Sequence, residues 1–239
     1  MEKNQSRFSR TGVLLGPENL SRLSKKRVAV IGLGGVGSYT VEALARAGIG
    51  RLLLVDHDII CLTNTNRQIH ALEGTYGKPK VEVTAGRVKA INPGAVVETK
   101  QEYAGPENIP DLLSGSFSYV VDAVDSVAAK ISLICYCREK EIPLISSMGT
   151  GNKLNPLAFR VDDISKTHTC PLARAVRLAL RKKGITRGVK VVYSTEKPVK
   201  PSLPSSVPGS VSYLPAIAGL ILAGEVIRDL ITLDQNGKT

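Results

Sequence analysis

The sequence has no tryptophan, three phenylalanines and seven tyrosines in 239 residues. With so few rings, a platform for stacking bases is not expected, and nucleic-acid contact should run through backbone charge and shape. The four cysteines, Cys61, Cys135, Cys137 and Cys170, include no C-x-x-C pair, which argues against a zinc site and a disulfide framework. Cys137 and Cys170 then read as small buried apolar groups. Met1 to Thr11 is polar and charged, so no signal peptide is expected, and the chain is placed in the cytoplasm with reduced thiols. Long apolar runs are missing too. Val211 to Ala223 is largely apolar but shorter than the ~20 residues of a membrane span. A buried closing helix over Leu214 to Leu230 is expected there, and no membrane partner. Acids are scarce: 21 Asp and Glu stand against 32 Lys and Arg, for a net charge of +11. That surplus points to a polyanionic partner. No internal repeats occur, and the length suits one sizeable core or at most two small ones.

What is present is concentrated first in Arg27 to Ala47, RVAVIGLGGVGSYTVEALARA. Val28 to Ile31 suits a strand buried on both faces, while Val36, Thr40, Val41, Leu44 and Ala47 recur at helical spacing. Between them Gly32, Gly34 and Gly37 fit the fingerprint G-x-G-x-x-G, whose glycines allow a tight turn and close approach to phosphate. The following helix start offers unpaired N–H groups and the positive end of its dipole to an anion. A second strand, Arg51 to Val55, ends at Asp56, nineteen residues after Gly37, where a carboxylate for a ribose hydroxyl is expected. Both ATP and a nicotinamide dinucleotide present ribose and phosphates, so these residues specify a nucleotide without specifying which.

After Asp56 the stretch DHDIICLTNTNRQIH packs Asp58, Asn64, Asn66, Arg67 and Gln68 close together beyond a strand end, where open α/β sheets bind ligands. Gly77 to Ile91 predicts a helix with Lys80 in its first turn, a place the dipole disfavours for a cation. Strands are expected at Ala95 to Thr99, Tyr119 to Val121 and Ile142 to Ser146, with short helices between. The fourth strand runs into DAVDS, which puts Asp122 and Asp125 near Asp56; a carboxylate there suits magnesium, and Asp125 or Ser126 also suits the cap of a helix over Val127 to Lys140. This alternation predicts an α/β fold with a doubly wound, mostly parallel sheet. Beyond Gly151 the pattern changes to strands at Phe159 to Val161 and Val189 to Tyr193 around a basic helix, Pro171 to Lys183. Nine lysines and arginines and one acid lie between Arg174 and Lys200. Arg174, Arg177, Arg181, Lys182, Lys183, Arg187 and Lys190 are therefore candidates for a nucleic-acid-facing surface.

The motifs GLGGVGS, VDHD, TNTNRQIH, GKPK and DAVDS, in this order, resemble the ThiF/MoeB/HesA group, relatives of ubiquitin-activating enzymes that adenylate carboxylates. The resemblance runs from Phe8 to Leu230. It implies a Rossmann-like fold forming one adenylating domain over 1–239, with 8–150 holding the nucleotide and 151–239 forming a basic part that faces substrate and builds a homodimer. It implies ATP and magnesium as cofactors, with Gly34, Gly35 and Gly37 on the phosphates and Asp56 on the ribose. Asn64, Arg67 and Lys80 hold the triphosphate, Asp125 binds the metal, and Arg10 reaches a second copy's ATP. TNTNRQIHAL, YCR at Tyr136 to Arg138 and YSTE at Tyr193 to Glu196 are most similar to members that use ATP to cyclise threonylcarbamoyladenosine beside the tRNA anticodon, releasing AMP and pyrophosphate. The alternative within the group is activation of a ubiquitin-like sulfur carrier, which leaves room for a sulfur-relay partner. Against it, Thr167-His168-Thr169-Cys170 keeps one cysteine of a zinc pair, and Ser194 stands where those relatives place a reactive cysteine.

Overall fold

The computed structural model describes residues 6–205 and 207–233. The ends of the expected 1–239 domain, and Ser206 within the proline-rich loop, lie outside the described residues. Before the first strand the chain forms two short helices, α1 (Ser9–Leu15) and α2 (Pro17–Leu23). Pro17 has no N–H to continue α1 and instead occupies the first turn of α2. Strand and helix then alternate: β1 (Arg27–Ile31), α3 (Gly37–Arg46), β2 (Arg51–Val55), α4 (Lys80–Ile91), β3 (Val96–Lys100), α5 (Ile109–Leu112), β4 (Tyr119–Asp122), α6 (Val127–Glu139) and β5 (Leu144–Ser147). The last part adds β6 (Phe159–Asp163), α7 (Pro171–Lys182), β7 (Lys190–Ser194) and α8 (Tyr213–Leu233).

The seven strands form one sheet in the order β3-β2-β1-β4-β5-β7-β6. All neighbouring pairs are parallel except β6 with β7. This is the expected doubly wound α/β sheet, extended by a C-terminal strand pair. Strand order reverses between β1 and β4, which leaves a crevice over their C-terminal ends.

Alternation along the central strands sorts the core. Val28, Val30, Leu52, Leu54 and Val121 pack with residues of α3, α4 and α8, while Ala29, Ile31, Leu53, Val55 and Val120 pack with residues of α5 and α6. Each of the valine, leucine and isoleucine side chains among them contributes on the order of 1.5–3 kcal/mol by leaving water. The apolar closing stretch is the buried helix the sequence predicts: Leu214, Ala218, Leu222, Val226 and Leu230 of α8 lie against the first of these faces. Among the described residues no helix is long and apolar enough to cross a membrane. Thr40 Oγ1 of α3 donates to the Gly219 carbonyl of α8 at 3.0 Å, so the closing helix also fixes the helix that follows the glycine loop. Ala173, Val176 and Leu180 seat α7 in a third cluster with Ile131, Ile134, Val191 and Tyr193.

Candidate active site

A cavity of about 680 Å³ opens at the crevice over β1 and β4. Gly32, Gly34 and Gly35 line it immediately after β1. A Cβ added at Gly34 would meet only Gln68 Nε2, 4.0 Å away, so the bare backbone faces open space that an anion can enter. Gly37 has another task. A Cβ there would sit 1.8 Å from the Gly32 carbonyl oxygen, and Gly37 is absent from the lining. Its lack of a side chain lets α3 start directly against the turn.

Asp56 follows β2 and is 8% exposed. Its Oδ2 accepts the Leu33 N–H at 2.6 Å and its Oδ1 the Asp58 N–H at 2.8 Å, clamping the glycine loop to the next loop. That loop holds the start of α4: the Lys80 N–H donates to the Asp58 carbonyl at 3.0 Å, and Lys80 Nζ lies 2.6 Å from Asp58 Oδ2. The cation that seemed misplaced at a helix start thus has a carboxylate. Partial burial works to raise the Asp58 pKa, but the Lys80 hydrogen bond and charge, with His57, prevail and hold it below the usual carboxylate value.

Asn64, Arg67 and Gln68 all reach the cavity. Asn64 Oδ1 accepts the Cys61 N–H at 3.0 Å, and Gln68 Oε1 pairs with buried His70 Nε2 at 3.1 Å. Burial first, then the charges of Lys80 and Arg87, push the His70 pKa down to about 4, so the ring that supports Gln68 is neutral. Arg67 is half-buried, and its Nη1 donates to Thr63 O and Asn66 Oδ1. Asp125 and Ser126 line the opposite side, where the Ser126 Oγ caps α6 by accepting the Ala129 N–H. Asp125 is exposed and has no ion-pair partner among the described residues.

Two expectations on the site need correcting. Asp122 does not line the cavity: it is fully buried, 3.0 Å from Lys130 Nζ, and accepts from Ser146 Oγ. Lys130 Nζ also donates to the Ser147 carbonyl at 2.6 Å, which ties the ends of β4 and β5 together behind the cavity wall. Arg10, expected to serve a second copy, sits exposed on α1 and does not line the cavity of its own chain. Of the basic series, Arg174, Arg181, Lys182, Lys183 and Arg187 are exposed, but Lys190 pairs with Asp229 at 2.7 Å and Glu225 at 3.3 Å on α8. Arg177 is half-buried and donates to the Thr167 carbonyl at 2.8 Å. Those two side chains secure packing.

Sequence reasoning also missed one wall. Gly149 to Lys153, with Cys170 and the Pro208 to Ser210 loop, closes the cavity from the C-terminal part. Asn152 adopts φ 55° and bonds Gly209 through both backbone and side chain, at 2.8 and 2.7 Å. Lys153 is 3% exposed, and its Nζ donates to the Gly149 carbonyl at 3.0 Å and the Ser194 carbonyl at 3.5 Å. The signal was available: GTGNK follows β5 as DAVDS follows β4. Cys137 matches its expected apolar role, since burial foremost, and then Asp122, push its thiol up to about 12.

A sequence profile of the ThiF family matches residues 8–238. The chain is similar to the tRNA threonylcarbamoyladenosine dehydratase of Bacillus subtilis, 43% identical over 242 residues covering 94% of each chain. It is 41% identical over 210 residues to the Escherichia coli protein of the same name, covering 85% of this chain and 78% of that one. The crystal structure of the E. coli dehydratase in complex with ATP superposes with a TM-score of 0.90 at 38% identity, over 96% of each chain.

Proposed function

The chain belongs to the ThiF family, and from that premise we propose that it is an ATP-dependent tRNA-modifying enzyme, which dehydrates threonylcarbamoyladenosine by closing its carboxylate onto its own ureido group. One arrangement carries this reading: the glycine loop, Arg67, Lys80 and Asp125 converge on a single cavity at the switch point. A nicotinamide dehydrogenase has no use for that set. Adenylation does, because an anionic carboxylate must approach the α-phosphorus while charge builds on departing pyrophosphate.

The substrate carboxylate is already ionised and needs no base. Lys80 and Arg67 place positive charge where the two anions meet, and the bare Gly34 backbone admits a phosphate. Asp56 keeps a lone pair on each oxygen for ribose hydroxyls beyond the N–H groups it accepts. The residues fit magnesium at Asp125, an exposed carboxylate on the wall; bound there, the ion would neutralise phosphate charge. Residues 8–150 then hold the nucleotide, and 151–239 bring the substrate. The exposed Arg174, Arg181, Lys182, Lys183 and Arg187 suit the phosphates of an anticodon stem. A homodimer, in which Arg10 serves the ATP of a second copy, and a sulfur-relay protein partner rest on the family resemblance. A tRNA substrate implies work in the cytoplasm.

The test is mass spectrometry of nucleosides from tRNA carrying threonylcarbamoyladenosine after incubation with the protein and magnesium ATP. Loss of the elements of one water, dependent on ATP and matched by AMP, is expected. An unchanged nucleoside alongside ATP binding would overturn the reading.

A further inference from the structure

We propose that Lys153 is the base of the ring-closing half of the reaction, taking the ureido proton in the wall of the cavity opposite Lys80. The inference rests on the dehydratase reading above. Adenylation needs no proton transfer, but ring closure does. As the ureido group attacks the acyl carbon of the acyl-adenylate, the carbon–oxygen bond to AMP breaks and its electron pair leaves with the phosphate. Whether the ring closes through nitrogen or oxygen, one ureido N–H must lose its proton, so the balanced step yields the ring, AMP and a protonated base.

Two buried lysines line the cavity, and their surroundings differ. Lys80 has a carboxylate partner, Asp58, at 2.6 Å. Lys153 faces two backbone carbonyls, Gly149 O and Ser194 O, and among the described residues no carboxylate lies within ion-pair distance of it. An ammonium has three donors, and these two acceptors leave one for a ligand. The titratable groups around it are the Cys170 thiol at the head of α7 and the Glu196 carboxylate beyond β7, whose oxygens are already accepting the Leu154 and Asn155 N–H groups. Burial outweighs both and lowers the Lys153 pKa from its ordinary value, which favours the neutral amine a base requires. Two like groups in one cavity, one paired with a carboxylate and the other facing only backbone carbonyls, are the arrangement that divides charge stabilisation from proton transfer.

The two half-reactions can be read separately. Exchange of labelled pyrophosphate into ATP, dependent on tRNA carrying threonylcarbamoyladenosine, reports adenylation; nucleoside mass spectrometry reports closure. We expect Lys153→Met and Lys153→Arg to keep exchange within about threefold and to lose closure by ~10²-fold or more, the range of a general base. Single-turnover closure by the unaltered protein should rise with pH along one titration that Lys153→Met lacks, and methylamine should partly restore closure to Lys153→Ala. Arginine keeps a cation in the wall, so its failure would separate proton transfer from charge and from folding. Exchange and closure falling together, or closure unaffected, would overturn the inference. If the unaltered protein shows neither exchange nor closure, the dehydratase reading itself fails, and the inference with it.

Discussion

The two walls of the cavity treat buried charge differently. Behind and within the wall built by residues 8–150, each buried lysine has a carboxylate: Lys80 has Asp58 and Lys130 has Asp122. In the wall contributed by the C-terminal part, Lys153 is buried to a similar degree with carbonyl oxygens alone. A neighbouring carboxylate favours the charged form of a lysine, whereas burial among neutral dipoles works against it. On the proposed reading, the wall that meets the phosphates pairs its buried lysines with carboxylates, and the wall proposed to face the substrate leaves Lys153 among carbonyl dipoles.

The contrast is broken hardest at Lys130. Lys130→Met strands a fully buried Asp122 carboxylate, and losing one partner of such a pair costs about 3–5 kcal/mol. Urea unfolding should show that loss, and Lys130→Met with Asp122→Asn should recover part of it; a double variant as unstable as the single would show that packing, not the orphaned charge, is responsible. Lys80→Ala comes next. Asp58 is half exposed and can be solvated, so the fold should survive, while pyrophosphate exchange should fall by ~10²–10³-fold, as when one preorganised charge is removed from a reaction site. Equal rates with and without Lys80 would remove the charge-stabilising role from that wall.

Much of the first wall was legible in the sequence because its residues are local. The glycine loop, Asp56, the Asn64 to Gln68 cluster and Lys80 each follow a strand or open a helix, and strand ends gather at one edge of a parallel sheet by topology alone. Alternation of strands and helices likewise gave every strand of the sheet, with ends displaced by a residue or two. Side-chain direction was not legible. Asp122 and Asp125 are three residues apart in one motif, yet one points into a buried pair with Lys130 and the other lines the cavity, because only the packing of α6 decides between them. The second wall escaped for a related reason: Lys153, Cys170 and the Pro208 to Ser210 loop are far apart in sequence and meet only after β6 and β7 extend the sheet. Among the basic residues, charge density pointed to a surface but could not separate Lys190, paired with α8, from Arg181, which is exposed.

His70 sharpens the comparison through pH. Its folded pKa near 4 lies below the ordinary 6.5, so the unfolded chain binds the extra proton between those values. Stability from keeping the ring neutral is complete above pH 6.5 and is lost as pH falls toward 4, by roughly 2–4 kcal/mol in all. His70→Gln should flatten that acid limb in urea midpoints measured from pH 7.5 to 4.5. If the limb persists, another group is responsible, and Asp58, whose lowered pKa acts in the same direction at lower pH, is the next to test.

The smallest effect separates surface from support within the basic series. Arg181 is exposed at the end of α7, so Arg181→Ala should weaken tRNA binding by about 1 kcal/mol or less and lower the slope of log affinity against log salt by about one, while leaving unfolding unchanged. Lys190 bridges β7 to Asp229 and Glu225 on α8 and is only a third exposed, so Lys190→Ala should shift the unfolding midpoint and leave the salt slope alone. The pair tests more than two residues. If Lys190→Ala lowered the slope and Arg181→Ala did not, the tRNA would lie along α8 rather than α7. The substrate would then enter over the Pro208 to Ser210 loop, which joins the Lys153 wall, instead of over the helix that begins at Pro171.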